Sequence, residues 1–389
     1  MNRTRSGLEQ LLARPRLLAG KRVGLIANPT AVTPDLTHAA LALRGARGIR
    51  LRALFGPEHG VWADAQDLIE VEDSRDPKTG LPVFSLYGRT RVPTAEMLEG
   101  VDALLFDVQD VGSRYYTFVY TMLHAIEACA AHDRSLVVLD RPNPLGGLAV
   151  DGNVLDPAFR SFVGLHSLAT RHGMTVGELA LLFRDELRLD LDLHVVRMKG
   201  WRRAMSFEET GLPWVMPSPN MPTVDTAYVY PGGCLIEGTN LSEGRGTTRP
   251  FELVGAPWLD GWALADAMNR ERLPGVRFRA AYFAPTFHKH AGQLCGGVGV
   301  HVTERRRFPA FLAYLLLIEK ARQQDPRRFG WRQPPYEYEH VKPPIDILCG
   351  TDQVRLAVER GESLRRLQPQ WRNDIAAFKR RRAKYLLYD

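Results

Sequence analysis

The sequence predicts an α/β fold with a mainly parallel sheet, and two observations lead to this prediction. Short apolar strand patterns alternate with helical patterns, which is typical of right-handed βαβ units. Four apolar segments also run directly into polar side chains, in VGLIANPT, LRALFGPEHG, ALLFDVQDVGSRYY and LVVLDRPNP. Ligands of open parallel sheets bind outside the carboxyl ends of the strands. We therefore expect these four endings to meet in one crevice.

The hydrophobic periodicity places the elements of the first half in order along the chain. Strands are expected at Arg22 to Ala27, Arg50 to Phe55, Val83 to Tyr87, Ala103 to Val108, Ser135 to Leu139 and His194 to Met198. Helices are expected near the N-terminus and at about Leu36 to Leu43, Glu96 to Glu99, Ser113 to Ala131 and Val176 to Leu187.

The composition changes after Trp214, where residues 215–258 are crowded with Pro, Gly, Thr and Ser and show no helical period. We interpret this segment as a structured binding loop, because large apolar residues interleave with its polar groups. A second α/β domain is predicted to follow and to close over the first, with the domains at 1–229 and 230–389. Its helices are expected at about Gly261 to Arg272, Phe308 to Gln324, Asp352 to Glu359 and Ser363 to Arg382, with strands near Val276 to Tyr282 and Val298 to Val302.

The charge balance allows an anionic substrate without requiring one. The 389 residues carry a net charge of +7. The basic run at 379–382 ends a predicted amphipathic helix, in which Trp371, Ile375 and Phe378 follow helical spacing, so we interpret the run as the solvated face. No recognised nucleic-acid module accompanies the charge, and nucleic-acid binding is not expected.

The spacing of the cysteines and the length of the apolar runs indicate which cofactors and which cellular location to expect. Cys129, Cys234, Cys295 and Cys349 are scattered without a Cys-x-x-Cys pair, which argues against a zinc site and fits reduced thiols. No signal peptide is visible, so a cytoplasmic location is expected, with export left open. The longest apolar run, residues 311–318, is shorter than the roughly 18 residues of a membrane span. We expect no membrane span, metal or cofactor.

The predicted crevice would be rich in carboxylates and would also contain a histidine and two arginines. This is typical of a hydrolase site for a polar substrate. The first strand leads into Ala-Asn-Pro-Thr and not into a Gly-x-Gly-x-x-Gly turn, so no cradle for a pyrophosphate is expected. The crevice residues are expected to be Asn28, Glu58, His59, Asp107, Gln109, Asp110, Arg114, Asp140, Arg141 and Asn143.

Several long segments, in order along the chain, resemble the signature segments of the NamZ family of exo-acting β-N-acetylmuramidases. The resemblance implies a Rossmann-like catalytic domain, a smaller C-terminal α/β domain and an active site in the cleft between them. It also implies release of N-acetylmuramic acid (MurNAc) from the non-reducing end of a peptidoglycan-derived disaccharide or muropeptide, as in cell-wall recycling. The segments are FGPEHG at 55–60, FDVQDVGSRYYTF at 106–118, LDRPNPLGG at 139–147, SPNMPT at 218–223, EGTNLSEGRGTTRPFE at 237–252, PPYEYE at 334–339, PIDILCG at 344–350 and the closing KYLLYD.

The family's proposed catalytic glutamate corresponds to Glu58. A carboxyl group on a tight turn at a strand end is held by the backbone and partly shielded from water, which suits a general acid. Glycoside cleavage usually needs a second carboxylate. Asp107 and Asp110 are the nearest candidates, and Asp140 is the third. The alternative for Asp107 and Asp140 is a structural role, as helix caps or acceptors for backbone amides.

The remaining candidates would bind substrate. His59 either contacts the sugar or orients Glu58, unless it is a structural donor. The segment Ser113–Tyr116 is expected to open a helix, so that Arg114 and the free amides meet an anion, while Tyr115 or Tyr116 stacks on a sugar. The lactyl carboxylate of MurNAc favours an arginine, and the candidates are Arg114, Arg141 and Arg245. Asn220, Glu237, Glu243 and Thr247 complete the expected set.

Two other functional classes stay open at this point. A metal-dependent hydrolase or phosphoesterase would use His59, Asp107, Asp140 and His166, although no His-x-His or His-Glu-x-x-His spacing is present. A non-catalytic protein would bind muropeptides and release no sugar.

Overall fold

A computed structural model describes residues 3–62 and 73–389 of the chain. The strands of this part are β1 Arg22–Ala27, β2 Arg50–Gly56, β3 Ser74–Arg75, β4 Pro82–Ser85, β5 Ala103–Asp107, β6 Ser135–Leu139, β7 Asp151–Val154, β8 Ala169–Arg171, β9 Leu193–Val196, β10 Leu253–Ala256, β11 Val276–Phe283 and β12 Cys295–Val302. The α-helices are α1 Gly7–Ala13, α2 Ala39–Gly45, α3 Phe118–Ala131, α4 Val176–Glu186, α5 Val224–Gly233, α6 Gly261–Arg270, α7 Ala310–Gln324, α8 Pro344–Cys349, α9 Gln353–Glu359 and α10 Gln368–Arg382.

The described residues form a central sheet of seven strands in the order β3-β4-β2-β1-β5-β6-β9. Neighbouring strands are parallel, except that β3 runs antiparallel to β4. The chain builds outward from β1 to one side and then from β5 to the other. The strand order therefore reverses between β1 and β5, as in Rossmann-like folds.

The central strands are buried on both faces, and their alternating side chains feed two hydrophobic cores. Leu25 and Leu105 join the core that contains residues of α1 and α2. Ile26 and Phe106 join the larger core that contains residues of α3 and α4. Helices thus cover both faces of the sheet, which explains the nearly continuous apolar runs of these strands.

The rest of the chain forms a smaller α/β domain around a second sheet. Its strands are antiparallel in the order β10-β12-β11, and α6 and α7 contact each other beside them. Helix α5 packs closely on α7, because a Cβ atom at Gly232 would lie only 2.2 Å from the carbonyl oxygen of Ala310. The larger hydrophobic core runs without a break from α3 into α5 and α7.

The predicted α/β architecture is confirmed, and β1 has the predicted bounds. The helix expected to begin at Ser113 begins instead at Phe118. Ser113 forms an isolated bridge with Arg171, and the amide of Arg114 donates to the carbonyl of Thr170 at 2.8 Å. These contacts hold the segment extended. The prediction of an anion-binding helix start at Ser113–Tyr116 is therefore wrong.

Three further predictions need correction. Residues 96–99 form turns and not a helix. The segment 215–258 contains α5, which lacks an amphipathic period because it is buried on nearly every side and ends in Pro231, Gly232 and Gly233. In α10, Trp371 and Phe378 are buried as expected, but Arg382 is buried as well and donates to the carbonyl of His172 at 3.0 Å.

The C-terminal segment returns to the central sheet. The hydroxyl of Tyr388 donates to Asp140 Oδ2 at 2.6 Å and accepts a hydrogen bond from the amide of Met198 at 2.9 Å. The amide of Leu387 donates to Glu178 Oε1 at 2.8 Å. The last residues thereby tie the smaller domain to the strand ends of the larger one.

Candidate active site

A narrow pocket opens beside the carboxyl end of β2 and encloses about 520 Å³, including the part open to solvent. Its lining comes from distant parts of the chain, including the turn after β2, the segment before α3, the region 218–251 and the turn at residues 336–337. The polar lining side chains are nearly all buried.

Glu58 lies on a tight turn that follows β2 directly. The amide of Gly60 donates to the carbonyl of Pro57 at 2.9 Å, and His59 adopts a left-handed conformation with φ of 70°. The hydroxyl of Thr117, the residue before α3, donates to Glu58 Oε2. Glu58 is only 8% exposed and lines the pocket. Its carboxyl group is therefore fixed by a rigid turn and by a hydrogen bond from a neighbouring element.

A buried ion-pair network forms another wall of the pocket. Arg245 Nη1 donates to Glu237 Oε1 at 3.0 Å and lies 3.5 Å from Glu243 Oε1. The other oxygen of Glu237 accepts a hydrogen bond from the hydroxyl of Tyr336 at 2.7 Å. Lys289 Nζ lies 3.0 Å from Glu243 Oε2. The carboxylate of Glu237 thus has an arginine as its ion-pair partner on one oxygen and a tyrosine hydroxyl as a hydrogen-bond donor on the other.

Glu243 is the buried centre of this network and lies behind the pocket lining. Burial alone would raise its pKa, but Lys289, the hydrogen bond from His288 and the charge of Arg245 hold the pKa well below its usual range. The ionised form of this buried carboxyl group is therefore stabilised by its cationic partners.

A third carboxylate of the pocket, Glu337, comes from the turn at the PPYEYE segment. The hydroxyl of Tyr87 donates to Glu337 Oε2 at 3.5 Å. Burial raises the pKa of Tyr87, and the negative charges of Glu58 and then Glu337 raise it further. Both glutamates therefore lie near the same phenol group. Tyr87 follows β4 by two residues, so the edge of the sheet positions it.

A cluster of aromatic rings, most of them tyrosines, lines another part of the pocket. The ring of Tyr230 makes edge contacts with Tyr115 at 5.8 Å, with Tyr116 at 5.6 Å and with Phe251 at 4.9 Å between ring centroids. The hydroxyl of Tyr115 donates to the carbonyl of Pro231. Edge-to-face packing of this kind adds rigidity beyond the buried area of the rings.

The predicted site residues divide into two groups in the structure. Those that line the pocket are Glu58, His59, Tyr115, Tyr116, Asn220, Glu237 and Arg245. Those that do not are Asn28, Asp107, Gln109, Asp110, Arg114, Asp140, Arg141, Asn143, Glu243 and Thr247. The four strand endings share one edge of the sheet, and of the residues predicted to form the crevice only Glu58 and His59 line this pocket.

The protein itself fills the crevice at the reversal between β1 and β5. Arg141 holds Asp107 in a bidentate ion pair, with Nε–Oδ1 at 2.6 Å and Nη2–Oδ2 at 3.0 Å. The amide group of Asn28 donates to the carbonyl of Pro217 at 3.3 Å, which fastens the incoming chain over the strand ends. Gln109 and Arg141 border a separate, smaller pocket next to Trp214. The candidate site is therefore displaced to the end of β2.

Asp110 and Asp140 are engaged in local structure. Asp110 accepts a hydrogen bond from the amide of Gly112 at 2.7 Å. Asp140 accepts hydrogen bonds from the hydroxyl of Thr175 at 2.8 Å and from the amide of Gly177 at 2.9 Å, at the start of α4. These contacts match the structural alternative that the sequence left open for Asp140.

Three other predicted residues outside the pocket donate side-chain hydrogen bonds to backbone carbonyls. Arg114 is fully buried and donates from Nη2 to the carbonyl of Leu348 at 2.8 Å. Asn143 donates to the carbonyl of Met174 at 2.9 Å. The hydroxyl of Thr247 donates to the carbonyl of Gly244 at 2.6 Å.

Several pocket residues were missed by reasoning from the sequence. Some of them lie in SPNMPT and PPYEYE, two of the segments that carry the family resemblance. Membership in these segments could have identified them as candidates. The missed residues are Thr117, Val163, Ser218, Met221, Tyr230, Cys234, Phe251, Tyr336 and Glu337.

Among the described residues there is neither a cluster of metal-ligating side chains nor a membrane-spanning helix. Residues 3–62 and 73–389 contain no group of three or more metal-ligating side chains. In the same part of the chain, no helix has the length and apolar character needed to cross a membrane.

Comparisons with known proteins cover the whole chain. A family model described as the N-terminal part of exo-β-N-acetylmuramidase NamZ matches residues 23–225, and its C-terminal counterpart matches residues 228–388. A Bacillus subtilis (strain 168) protein named peptidoglycan β-N-acetylmuramidase NamZ is 47% identical over 99% of this chain and 92% of its own length.

Two solved structures from Bacteroides fragilis, both of DUF1343 family proteins, have the same fold. One is 37% identical with a TM-score of 0.92, and the other is 30% identical with a TM-score of 0.79. Each alignment covers 100% of this chain and 99% of the solved chain. The sequence segments, the two matching family models and these relatives agree, and the chain belongs to the NamZ family of exo-β-N-acetylmuramidases.

Proposed function

We propose that the protein is an exo-acting glycoside hydrolase that releases MurNAc from the non-reducing end of peptidoglycan fragments such as MurNAc-GlcNAc. The observation that carries this proposal is Glu58, a buried carboxyl group on a rigid turn that faces a pocket of sugar-binding character. The name of the 47% identical relative supports the same activity.

Glu58 acts as the general acid in this proposal. It donates its proton to the glycosidic oxygen as the bond from that oxygen to the anomeric carbon breaks. The hydrogen bond from Thr117 engages Oε2, which orients the carboxyl group and leaves Oε1 as the oxygen to present the proton.

The shape of the pocket supports action on a chain end. Its polar lining side chains, among them Glu58, Asn220 and Arg245, are each less than a tenth exposed. A glycan strand that continued in both directions would need an open groove. A pocket closed by side chains from both matched family regions suits one terminal sugar, and it supports the expected site between the two domains.

Arg245 is proposed to read the lactyl carboxylate, which distinguishes MurNAc from N-acetylglucosamine. It is the one arginine or lysine among the lining residues that the structure describes. Its guanidinium group has several donors in a planar fork, so it can contact a substrate carboxylate while it keeps Glu237.

The experiment is incubation of the purified protein with MurNAc-GlcNAc and, separately, with long glycan strands, followed by mass spectrometry of the products. We expect free MurNAc from the disaccharide and only terminal MurNAc from the strands, at the same rate with EDTA. A protein that binds the disaccharide but releases no sugar, or that cuts internal bonds, would contradict the proposal. Loss of activity in EDTA would favour the metal-dependent hydrolase.

A further inference from the structure

We propose that Glu337 is the second catalytic carboxylate of the pocket and acts on the anomeric carbon opposite Glu58. This inference rests on the proposed glycosidase function, since it names the partner that such a reaction requires. The sequence pointed instead to Asp107 or Asp110, and neither lines the pocket.

The first support is the placement of the two glutamates. Glu58 and Glu337 line the same pocket, and each is 8% exposed. The phenol group of Tyr87 lies 3.5 Å from Glu337 Oε2 and is affected by the charge of Glu58 as well. The two carboxyl groups therefore belong to one pocket and come from different parts of the chain.

The second support is the backbone that presents Glu337. Both Glu337 and Tyr338 have left-handed conformations, with φ of 46° and 62°. Tyr336 and Glu339 close the turn with a pair of backbone hydrogen bonds, both 2.9 Å long. Such conformations are costly for non-glycine residues, and they persist where the surroundings impose them, often at active sites.

The surroundings hold this turn through the ring of Tyr338. The ring packs against Tyr87 at 5.9 Å and against Phe162 at 5.5 Å between centroids. The guanidinium group of Arg91 lies 4.1 Å from the centre of the same ring. The carboxyl group of Glu337 is thus presented by a fixed turn, as preorganised catalysis requires.

The remaining lining carboxylate, Glu237, does not suit this role. One of its oxygens accepts from Arg245 and the other from Tyr336, at 3.0 and 2.7 Å. Both oxygens of Glu237 are therefore engaged by other side chains of the pocket lining. Glu237 is better explained as the group that positions Arg245.

The reaction balances with these two residues. The proton of Glu58 passes to the leaving oxygen while the bond from that oxygen to the anomeric carbon breaks. In an inverting reaction, Glu337 takes a proton from the water whose oxygen bonds to the carbon. In a retaining reaction, an oxygen of Glu337 bonds to the carbon first, and water, deprotonated by Glu58, then releases the sugar.

The test compares Glu337→Gln and Glu58→Gln on two substrates, MurNAc-GlcNAc and 4-nitrophenyl β-N-acetylmuraminide. Nitrophenolate leaves without a proton, so Glu58→Gln should lose far more rate on the disaccharide than on the nitrophenyl substrate. Glu337→Gln should lose about 100-fold or more on both, because attack at the anomeric carbon is needed in each case. Glu339→Gln, on the same turn but outside the pocket lining, is the matched control and should keep the rate.

A second variant covers the case in which Glu337→Gln does not fold. Glu337→Asp keeps the charge but withdraws the carboxylate by one methylene, so it should fold and lose at least tenfold in rate on both substrates. The inference is overturned if a folded Glu337 variant keeps more than a tenth of the wild-type rate on the nitrophenyl substrate. Failure of the wild-type protein to release MurNAc from either substrate would instead refute the proposed function.

Discussion

The ion pair between Asp107 and Arg141 should stabilise the fold and take no part in catalysis. The sequence suggested Asp107 as a catalytic residue, but in the structure this side chain is surrounded by protein. Asp107 is fully buried, Arg141 is 6% exposed, and two N–O contacts of 2.6 and 3.0 Å join them. Arg141→Met would leave the carboxylate buried without its cation. Removing one partner of a buried pair costs about 3–5 kcal/mol, a large share of a typical stability of about 5–15 kcal/mol.

The measurement is urea unfolding followed by tryptophan fluorescence, together with kcat/KM on MurNAc-GlcNAc under conditions where the variant is folded. We expect the stability to fall while kcat/KM stays within about threefold of wild type, because neither residue lines the pocket and neither serves as the acid or base, whose loss would cost about 100-fold or more. The double variant Asp107→Leu with Arg141→Met should recover much of the loss, since it leaves no unpaired charge. An unchanged stability, or a folded Asp107→Asn variant that is about 100-fold slower, would refute this reasoning.

Three further predictions follow from buried polar groups. Arg245→Gln should reduce the ratio of kcat/KM for the muraminide to kcat/KM for the matching glucosaminide by about ten- to a hundredfold, because a charge-assisted contact contributes about 1.5–3 kcal/mol. An unchanged ratio would show that another group binds the lactyl carboxylate. Tyr388→Phe removes a donor to buried Asp140 and should lower the free energy of unfolding by about 1–3 kcal/mol in urea titrations. Glu243→Gln should destabilise at pH 7 because it removes the charge partner of Lys289. Since its folded pKa is depressed, that stabilisation is fully present above about pH 4.5 and is lost progressively at lower pH, so the difference between wild-type and variant stabilities should stay constant from pH 7 to about pH 4.5 and shrink below it.

The sequence predicted the features that depend on local pattern. The strands β1, β5 and β6 are nearly continuous apolar runs, so the sheet was predicted, and Glu58 lies on the predicted turn after β2. Its catalytic role stays a prediction that the family resemblance supplied. Helix α5 was not predicted, because burial on nearly every side removes the amphipathic period that identifies a helix.

The partners of Glu58 depend on how distant segments fold together. The rule that ligands bind at strand ends led to Asp107, but the chain near Pro217 closes over that position, and no local pattern shows this. Glu337 comes from a turn far along the chain, and the packing of Tyr338 on Tyr87 and Phe162 holds that turn at the site. Arg114 was expected at the surface of the site, yet its partner carbonyl belongs to Leu348.

The most direct test of the account is the rate of MurNAc release from MurNAc-GlcNAc by Glu58→Gln. An amide cannot donate the proton that the leaving oxygen needs, so kcat should fall by about 10²–10⁴-fold. Urea unfolding and binding of the disaccharide should stay close to those of the wild-type protein. A folded variant that keeps more than a tenth of the wild-type rate would show that Glu58 is not the acid and that this pocket has been assigned the wrong chemistry.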